Sequence, residues 1–216
     1  MEYAHVCEAI FLERPNRFLA RVLLNGREET VHVKNTGRCR ELLVPGRRVI
    51  LAEGENPARM TKFDLICAEK PGLGLVNLDS QAPNRVMQEW LMRQDYDRVQ
   101  PEYRFGASRL DFYLERGNEK TLVEVKGCTL EVDGVGYFPD APTERGTRHL
   151  HELMQAVRLG YRAAAAFVIQ MPGITQVLPN EATDPAFAQA LREAEQAGVE
   201  IWRLPCRVGE NTLEIL

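Results

Sequence analysis

Apolar and polar residues alternate one by one in short runs through the first third of the chain. Val6–Leu12, Phe18–Leu24, Thr30–Val33, Arg48–Ala52 and Phe63–Ala68 each predict a strand with one face inward. Asn25-Gly26 between two of them is a hairpin signal, and Pro45-Gly46 marks another turn. Several short strands with tight turns fit a small all-β barrel of the OB type. The Gly- and Pro-bearing stretch 71–82 reads as a linker, which divides the chain into residues 1–81 and 82–216. Beyond it the period changes. Pro83–Gln94 predicts a helix, with Pro83 in the first turn and Val86, Met87, Trp90 and Leu91 on one side. Strands are expected at Val99–Arg104, at 108–115 and 121–126, and at Gly134–Pro139. Thr143–Gly160 is a second helix, striped by Leu150, Leu153, Met154 and Val157 and stopped by a glycine. The nearly all-apolar run Ala163–Gln170 predicts a central strand covered on both faces. A helix over Asp184–Ala197 and a strand over Val199–Leu204 follow. This order predicts an α/β layer, with helices packed on a mixed sheet.

The hairpin at 108–126 carries the candidate chemistry. Strand alternation puts Leu110, Phe112 and Leu114 on one face and Arg109, Asp111 and Tyr113 on the other. On the second strand Val123 and Val125 share a face, and Glu124 and Lys126 share the opposite one. If the polar faces coincide, Asp111, Glu124 and Lys126 converge. Two close carboxylates repel unless a cation lies between them. A hard divalent ion such as Mg2+ needs only one or two carboxylates plus water, and the lysine can then hold water or meet charge on a phosphate. A plain salt bridge of Lys126 to Asp111 or Glu124 on a solvated sheet face would use the same residues.

Charge is unevenly placed. The net charge is −4, but residues 1–81 hold 12 Lys+Arg against 11 Asp+Glu, whereas residues 82–216 hold 15 against 20. Within the first part Lys34, Arg38, Arg40, Arg47 and Arg48 face only Glu41, so this stretch reads either as a phosphate-binding face or as a solvated one. Five scattered cysteines without a CxxC predict reduced thiols in a cytoplasmic protein and argue against structural zinc. His149 and His151, two apart on a helix, do not make a ligand pair. No apolar run reaches the ~20 residues of a membrane span, so no membrane partner is expected.

The order helix, three strands, helix, strand, with Asp on one strand and Glu-X-Lys on the next, resembles the core of PD-(D/E)XK nucleases. Leu110 stands where the signature has Pro. The phrases Ser108-Arg-Leu-Asp-Phe, Val123-Glu-Val-Lys-Gly, Gly136-Tyr-Phe-Pro-Asp-Ala-Pro-Thr-Glu-Arg-Gly146 and His149-Leu-His-Glu-Leu153 are similar to the sugar fermentation stimulation protein A (SfsA) family. Arg17-Phe-Leu-Ala, His32-Val-Lys-Asn-Thr-Gly37 and Pro45-Gly46 extend the similarity over nearly the whole chain. It implies an OB-like, nucleic-acid-binding domain over 1–81 and a nuclease-like domain over 82–216. It implies DNA binding without sequence preference and a regulatory link to sugar (maltose) utilisation. Carried over by position, Asp111, Glu124 and the Val125 backbone carbonyl would bind Mg2+ or Mn2+, and Lys126 would orient the attacking water. Glu102, or else Glu89 on the preceding helix, would complete the ligand set. Arg145 at the start of the helix after the third strand would meet a phosphate, unless Thr143 and Glu144 there serve only as a cap and a dipole partner.

Two functions therefore stand side by side: a DNA-binding protein with no required catalysis, and a metal-dependent nuclease acting on DNA or RNA. No nucleotide loop suggests an organic cofactor, and the sequence does not specify an oligomeric state.

Overall fold

The computed structural model describes residues 1–35, 37–54, 59–106 and 108–216. The first strands are β1 (Val6–Asn16), β2 (Leu19–Leu24), β3 (Arg27–Val33), β4 (Arg48–Glu53) and β5 (Phe63–Lys70). They pair antiparallel in the order β3-β2-β1-β4-β5, and a short parallel pairing of His32 with Asp64 and of Val33 with Leu65 closes the circle. The result is the expected OB-like five-stranded barrel. The inward positions of the alternation, Phe11, Ala20, Val22, Val31, Val49, Leu51 and Leu65, are buried in its core.

The stretch expected to be a linker is instead built into the fold. Gly74–Asn77 forms β6, antiparallel to β5, and Val76, Asn77, Leu78 and Asp79 are buried. Its backbone can leave water because its polar groups find partners. The Gln170 amide donates to the Asn77 and Asp79 carbonyls at 3.1 Å each, and the Asn35 amide donates to the Leu78 carbonyl at 2.9 Å.

The rest comprises α1 (Ala82–Leu91), β7 (Arg98–Phe105), β8 (Ser108–Arg116), β9 (Glu119–Cys128), β10 (Leu130–Val132), β11 (Val135–Phe138), α2 (Glu144–Arg158), β12 (Arg162–Ile169), β13 (Val177–Pro179), α3 (Pro185–Gln196), β14 (Glu200–Val208) and β15 (Leu213–Ile215). The main sheet runs β15-β14-β12-β9-β8-β7, parallel through β9, β12 and β14 and antiparallel at both flanks. Strands β10, β11 and β13 make a small side sheet. Every residue of β12 from Ala163 to Ile169 is buried, as a strand with helices on both faces requires. Val123, Val125 and Phe112 pack with α1, whereas Leu122 and Phe167 pack on the side of α2 and α3.

Barrel and layer share one continuous apolar core. Polar ties add to it. The Asp140 carboxylate accepts the Cys39 N–H at 2.8 Å, and Lys70 bonds the Glu131 carboxylate at 2.5 Å. Gly37 is needed here for closeness: a Cβ on it would lie 2.9 Å from the Asp140 carboxylate.

One strand departs from simple alternation. Leu110 packs with Tyr113 and Leu122, on the opposite side from Phe112 and Leu114, so the expected shared face of Leu110, Phe112 and Leu114 is broken. The same swap occurs in β7 between Val99 and Tyr103. Glu102 has a positive φ of 51° there, and the β7–β8 pairing passes from Pro101–Phe112 to Tyr103–Leu110. Both strands reverse their faces at one level of the sheet, and Asp111 is the residue at which β8 reverses.

Candidate functional site

At this reversal the side chain of Asp111 takes over a backbone role. The β8–β9 ladder extends from Arg116–Glu119 to Phe112–Val123, and the next N–H, that of Val125, is given to Asp111 Oδ2 at 2.7 Å. Asp111 Oδ1 accepts from the Asn84 amide at 2.7 Å, in the first turn of α1. Strand β9 supplies Glu124 and Lys126 on one face, two residues apart, with Lys126 Nζ donating to Glu124 Oε1 at 2.6 Å. The same Oε1 meets His149 Nδ1 from α2. Glu124 Oε2 is buried and has no hydrogen-bond partner among the described residues. Glu124 and His149 are each only 3% exposed, while Asp111 and Lys126 are half-buried, so the centre is not a solvated sheet face.

The structure thus brings Asp111, Glu124 and Lys126 together. Glu102 is turned away: its carboxylate pairs with Arg109 at 3.1 Å, and both side chains are largely exposed. Glu89 pairs with the amino group of Met1 at 2.7 Å. Thr143 caps α2 by accepting the Gly146 N–H at 3.0 Å, while Arg145 is exposed and points its Nε to His149 Nε2 at 3.4 Å. Among the described residues no three His, Cys, Asp or Glu side chains form a ready-made metal cluster.

His149 and Asn84 are the residues that sequence reasoning missed. His149 carried a readable signal: it lies four residues before Leu153 and seven before Ala156, so it falls on the buried stripe of α2. A histidine at such a position needs a buried partner. Weighing it only as a pair with His151 hid this. Asn84 carried no signal, because a polar residue in a first helical turn is ordinarily solvated. The Arg145 Nε–H can only donate, so His149 Nε2 accepts and the Nδ1–H points at Glu124.

The two carboxyls are pushed in opposite directions. Burial raises Glu124, but the His149 hydrogen bond and Lys126 outweigh it and hold this carboxyl below its ordinary range. Burial raises Asp111, the Glu124 charge adds to it, and the Val125 N–H, Lys126 and Asn84 offset only part. A carboxyl raised in the folded state favours folding fully below its unfolded value, about 3.9, and loses that contribution as pH rises through the folded value. Asp111→Asn removes the charge, and the Asn84 amide can turn to present its oxygen. In chelator at pH 7 this variant is expected to melt about 2–4 °C higher than wild type. The advantage should shrink as pH falls toward 4. Calorimetric scans across pH check this, and an unchanged or lower Tm at pH 7 contradicts it.

The expected basic face divides. Lys34 pairs with the buried Asp64 at 2.9 Å, where burial is outweighed by Arg59, Lys34 and His32 and the carboxyl is held at about 2. Arg47 bonds the Glu41 carbonyl, and Arg48 lies between Glu8 and Glu210. Arg38 and Arg40 are exposed and line a cleft of about 800 Å3 between barrel and layer. Gly127, which follows Lys126 in β9, and Thr143, the cap of α2, also line it, whereas Asp111, Glu124 and Lys126 themselves do not. A Cβ on Gly127 would come within 2.7 Å of Pro83 and strike Gln170.

The cysteines do not make a second reactive centre. All five cysteines are free, and burial pushes Cys39, Cys67, Cys128 and Cys206 up to about 12, far from a nucleophilic thiolate. Among the described residues no helix is long and apolar enough to cross a membrane.

Comparison with known proteins agrees with this architecture. Residues 81–212 match a family model described as the sugar fermentation stimulation protein RE domain, and residues 12–78 match the SfsA N-terminal OB domain. A sugar fermentation stimulation protein homologue of Desulfitobacterium hafniense is 52% identical over 217 residues, covering 99% of this chain and 95% of the relative. One from Ruminiclostridium cellulolyticum is 47% identical over 219 residues, covering 100% and 96%. Among solved structures, Pyrococcus furiosus SfsA in complex with Ca2+ superposes with a TM-score of 0.86 at 30% identity, covering 100% of this chain and 95% of that one. The chain belongs to the sugar fermentation stimulation protein family.

Proposed function

We propose that this chain binds nucleic acid without sequence preference and hydrolyses its phosphodiester bonds with a divalent ion held between Asp111 and Glu124. In this reading residues 1–81 hold the substrate and residues 82–216 carry the chemistry. The observation that carries it is Glu124 Oε2. A buried carboxylate oxygen without a partner is costly, and here it lies in a centre that also holds Asp111 and Lys126. The donors are hard oxygens, which suit Mg2+ or Mn2+. The Ca2+ in the Pyrococcus relative, another hard cation, supports the same choice.

Asp111, Glu124 and the Val125 carbonyl would hold such an ion. Bound there, it would supply Lewis acidity toward a phosphoryl oxygen. Asn84 and the Val125 N–H fix the Asp111 carboxylate, and His149 and Lys126 fix that of Glu124. Lys126 can leave Glu124 Oε1 to His149 and turn its ammonium to a water or to the charge growing on the phosphate. Arg145, exposed at the amino end of α2, would take a neighbouring phosphate.

A second reading keeps the binding and drops the chemistry. The relatives' name, sugar fermentation stimulation protein, supports a regulatory role in sugar utilisation that DNA binding alone could serve. The free thiols support a cytoplasmic setting. Titration calorimetry with Mn2+ tests the first reading. Wild type is expected to give binding heat, and Asp111→Asn is expected to give little or none. Equal heats from both proteins would move the ion away from this centre.

A further inference from the structure

We infer that the cleft between barrel and layer is a binding site for single-stranded nucleic acid and does not admit a duplex. This rests on the nucleic-acid reading above and narrows its substrate. The first ground is size. The cleft encloses about 800 Å3, room for a few unpaired nucleotides and not for a duplex, whose major groove alone is ~12 Å wide. It falls within the range of about 300–1,000 Å3 in which proteins enclose small ligands.

The second ground is charge that the fold leaves free. Arg14 is spent as a brace. Its guanidinium donates to the carbonyls of Arg17 at 2.7 Å, Asn35 at 2.8 Å, and Gly37 and Arg38 at 2.9 Å. That brace, with Asp140 holding the Cys39 N–H, fixes the two loops from which Arg17, Arg38 and Arg40 project. All three are exposed cleft residues, and none of their guanidinium groups has a hydrogen-bond or ion-pair partner among the described residues. Arginines free at the tip and fixed at the base suit phosphate oxygens, because little ordering remains to be done on binding.

The third ground is aromatic surface. Phe18 is 53% exposed, an unusual state for a phenylalanine, and the Arg17 guanidinium lies 5.6 Å from its ring centre. Tyr137 lines the layer side of the cleft and is half-buried. Bases can stack on aromatic faces only when they are unpaired and splayed from a helix, and such stacking tolerates any sequence. Phe18 stands beside the cleft residue Arg17, outside the lining itself, and Tyr137 lies on the opposite side, so the cations and aromatic surface offer a track for a single strand whose Gly127 end is one residue from Lys126. A duplex would therefore be engaged at a frayed end or an overhang.

Fluorescence anisotropy in chelator, with the full chain and labelled oligonucleotides, tests this. The probes are a 12-nucleotide single strand, the blunt duplex, and the duplex with a six-nucleotide overhang. Single strand and overhang are expected to bind at least about tenfold tighter than the blunt duplex. Arg38→Ala/Arg40→Ala should weaken single-strand binding about tenfold or more and reduce the salt slope by about 1.4, the single-strand value for two phosphate contacts. Phe18→Ala should cost about tenfold on the single strand and little on the blunt duplex. Equal affinity for blunt duplex and single strand, or single-strand binding unmoved in both variants, overturns the inference. Either result leaves the carboxylate centre standing, because the Mn2+ heats lost in Asp111→Asn test it separately.

Discussion

Glu124→Gln is expected to lower metal-dependent cleavage of nucleic acid by at least about 100- to 1,000-fold, the usual loss when one preorganised electrostatic contact is removed. Glutamine keeps the shape and keeps an oxygen that His149 and Lys126 can bond, so the fold should survive. The change is confined to the charge and to the free Oε2. Affinity for uncleaved substrate should stay the same or rise slightly, because a negative charge beside the phosphates is gone. Cleavage kinetics and anisotropy on the same preparation separate the two quantities. Cleavage that persists in a clean variant would place the chemistry elsewhere.

His149→Leu should act mainly on stability. It leaves Glu124 buried with Lys126 as its one side-chain partner among the described residues. Losing a buried hydrogen bond to a charged group costs about 1.5–3 kcal/mol, and Lys126 still pairs with the carboxylate. At about 2–4 °C per kcal/mol in a chain of this size, the Tm should fall by roughly 3–12 °C. His149→Asn, whose amide can replace the Nδ1–H donor, should recover most of the loss. The pH dependence carries a further sign. Glu124 is depressed in the folded state, so its contribution is present above its unfolded value and is lost as pH falls through the folded one. In His149→Leu that acid-side loss should flatten. A Tm within a degree of wild type would show that His149 does not support the carboxylate.

Much of this was legible because the responsible signals are local. Alternation and turn residues located all five barrel strands, and the switch from period 2 to period 3.6 located the three helices. Asp111, Glu124 and Lys126 were legible because a two-residue hairpin turn, Gly117-Asn118, fixes their register. Other features depend on distant partners and left no local trace. The buried path of 74–79 exists because Gln170, over 90 residues away, satisfies its carbonyls. The fate of Lys34, Arg47 and Arg48 was set by Asp64, the Glu41 carbonyl, Glu8 and Glu210, so a run of like charges in sequence became three structural contacts and two free arginines. The face reversal at Asp111 was hidden for a similar reason. It arises where a side chain replaces a ladder acceptor for Val125, which a pattern of apolar positions does not encode. Strands β10, β13 and β15 have only three residues each, too few to show a period.

The central claim is that Asp111, Glu124 and Lys126 form a metal-dependent hydrolytic centre. The most direct measurement incubates wild type and Lys126→Ala with labelled DNA and RNA, each with Mn2+, with Mg2+ and with chelator, and follows chain cleavage. Wild type is predicted to cleave with metal and not in chelator, while Lys126→Ala retains the Mn2+ binding heat and does not cleave. Absence of cleavage by metal-loaded wild type on every nucleic acid tested would contradict the claim and leave a protein that binds nucleic acid without cutting it.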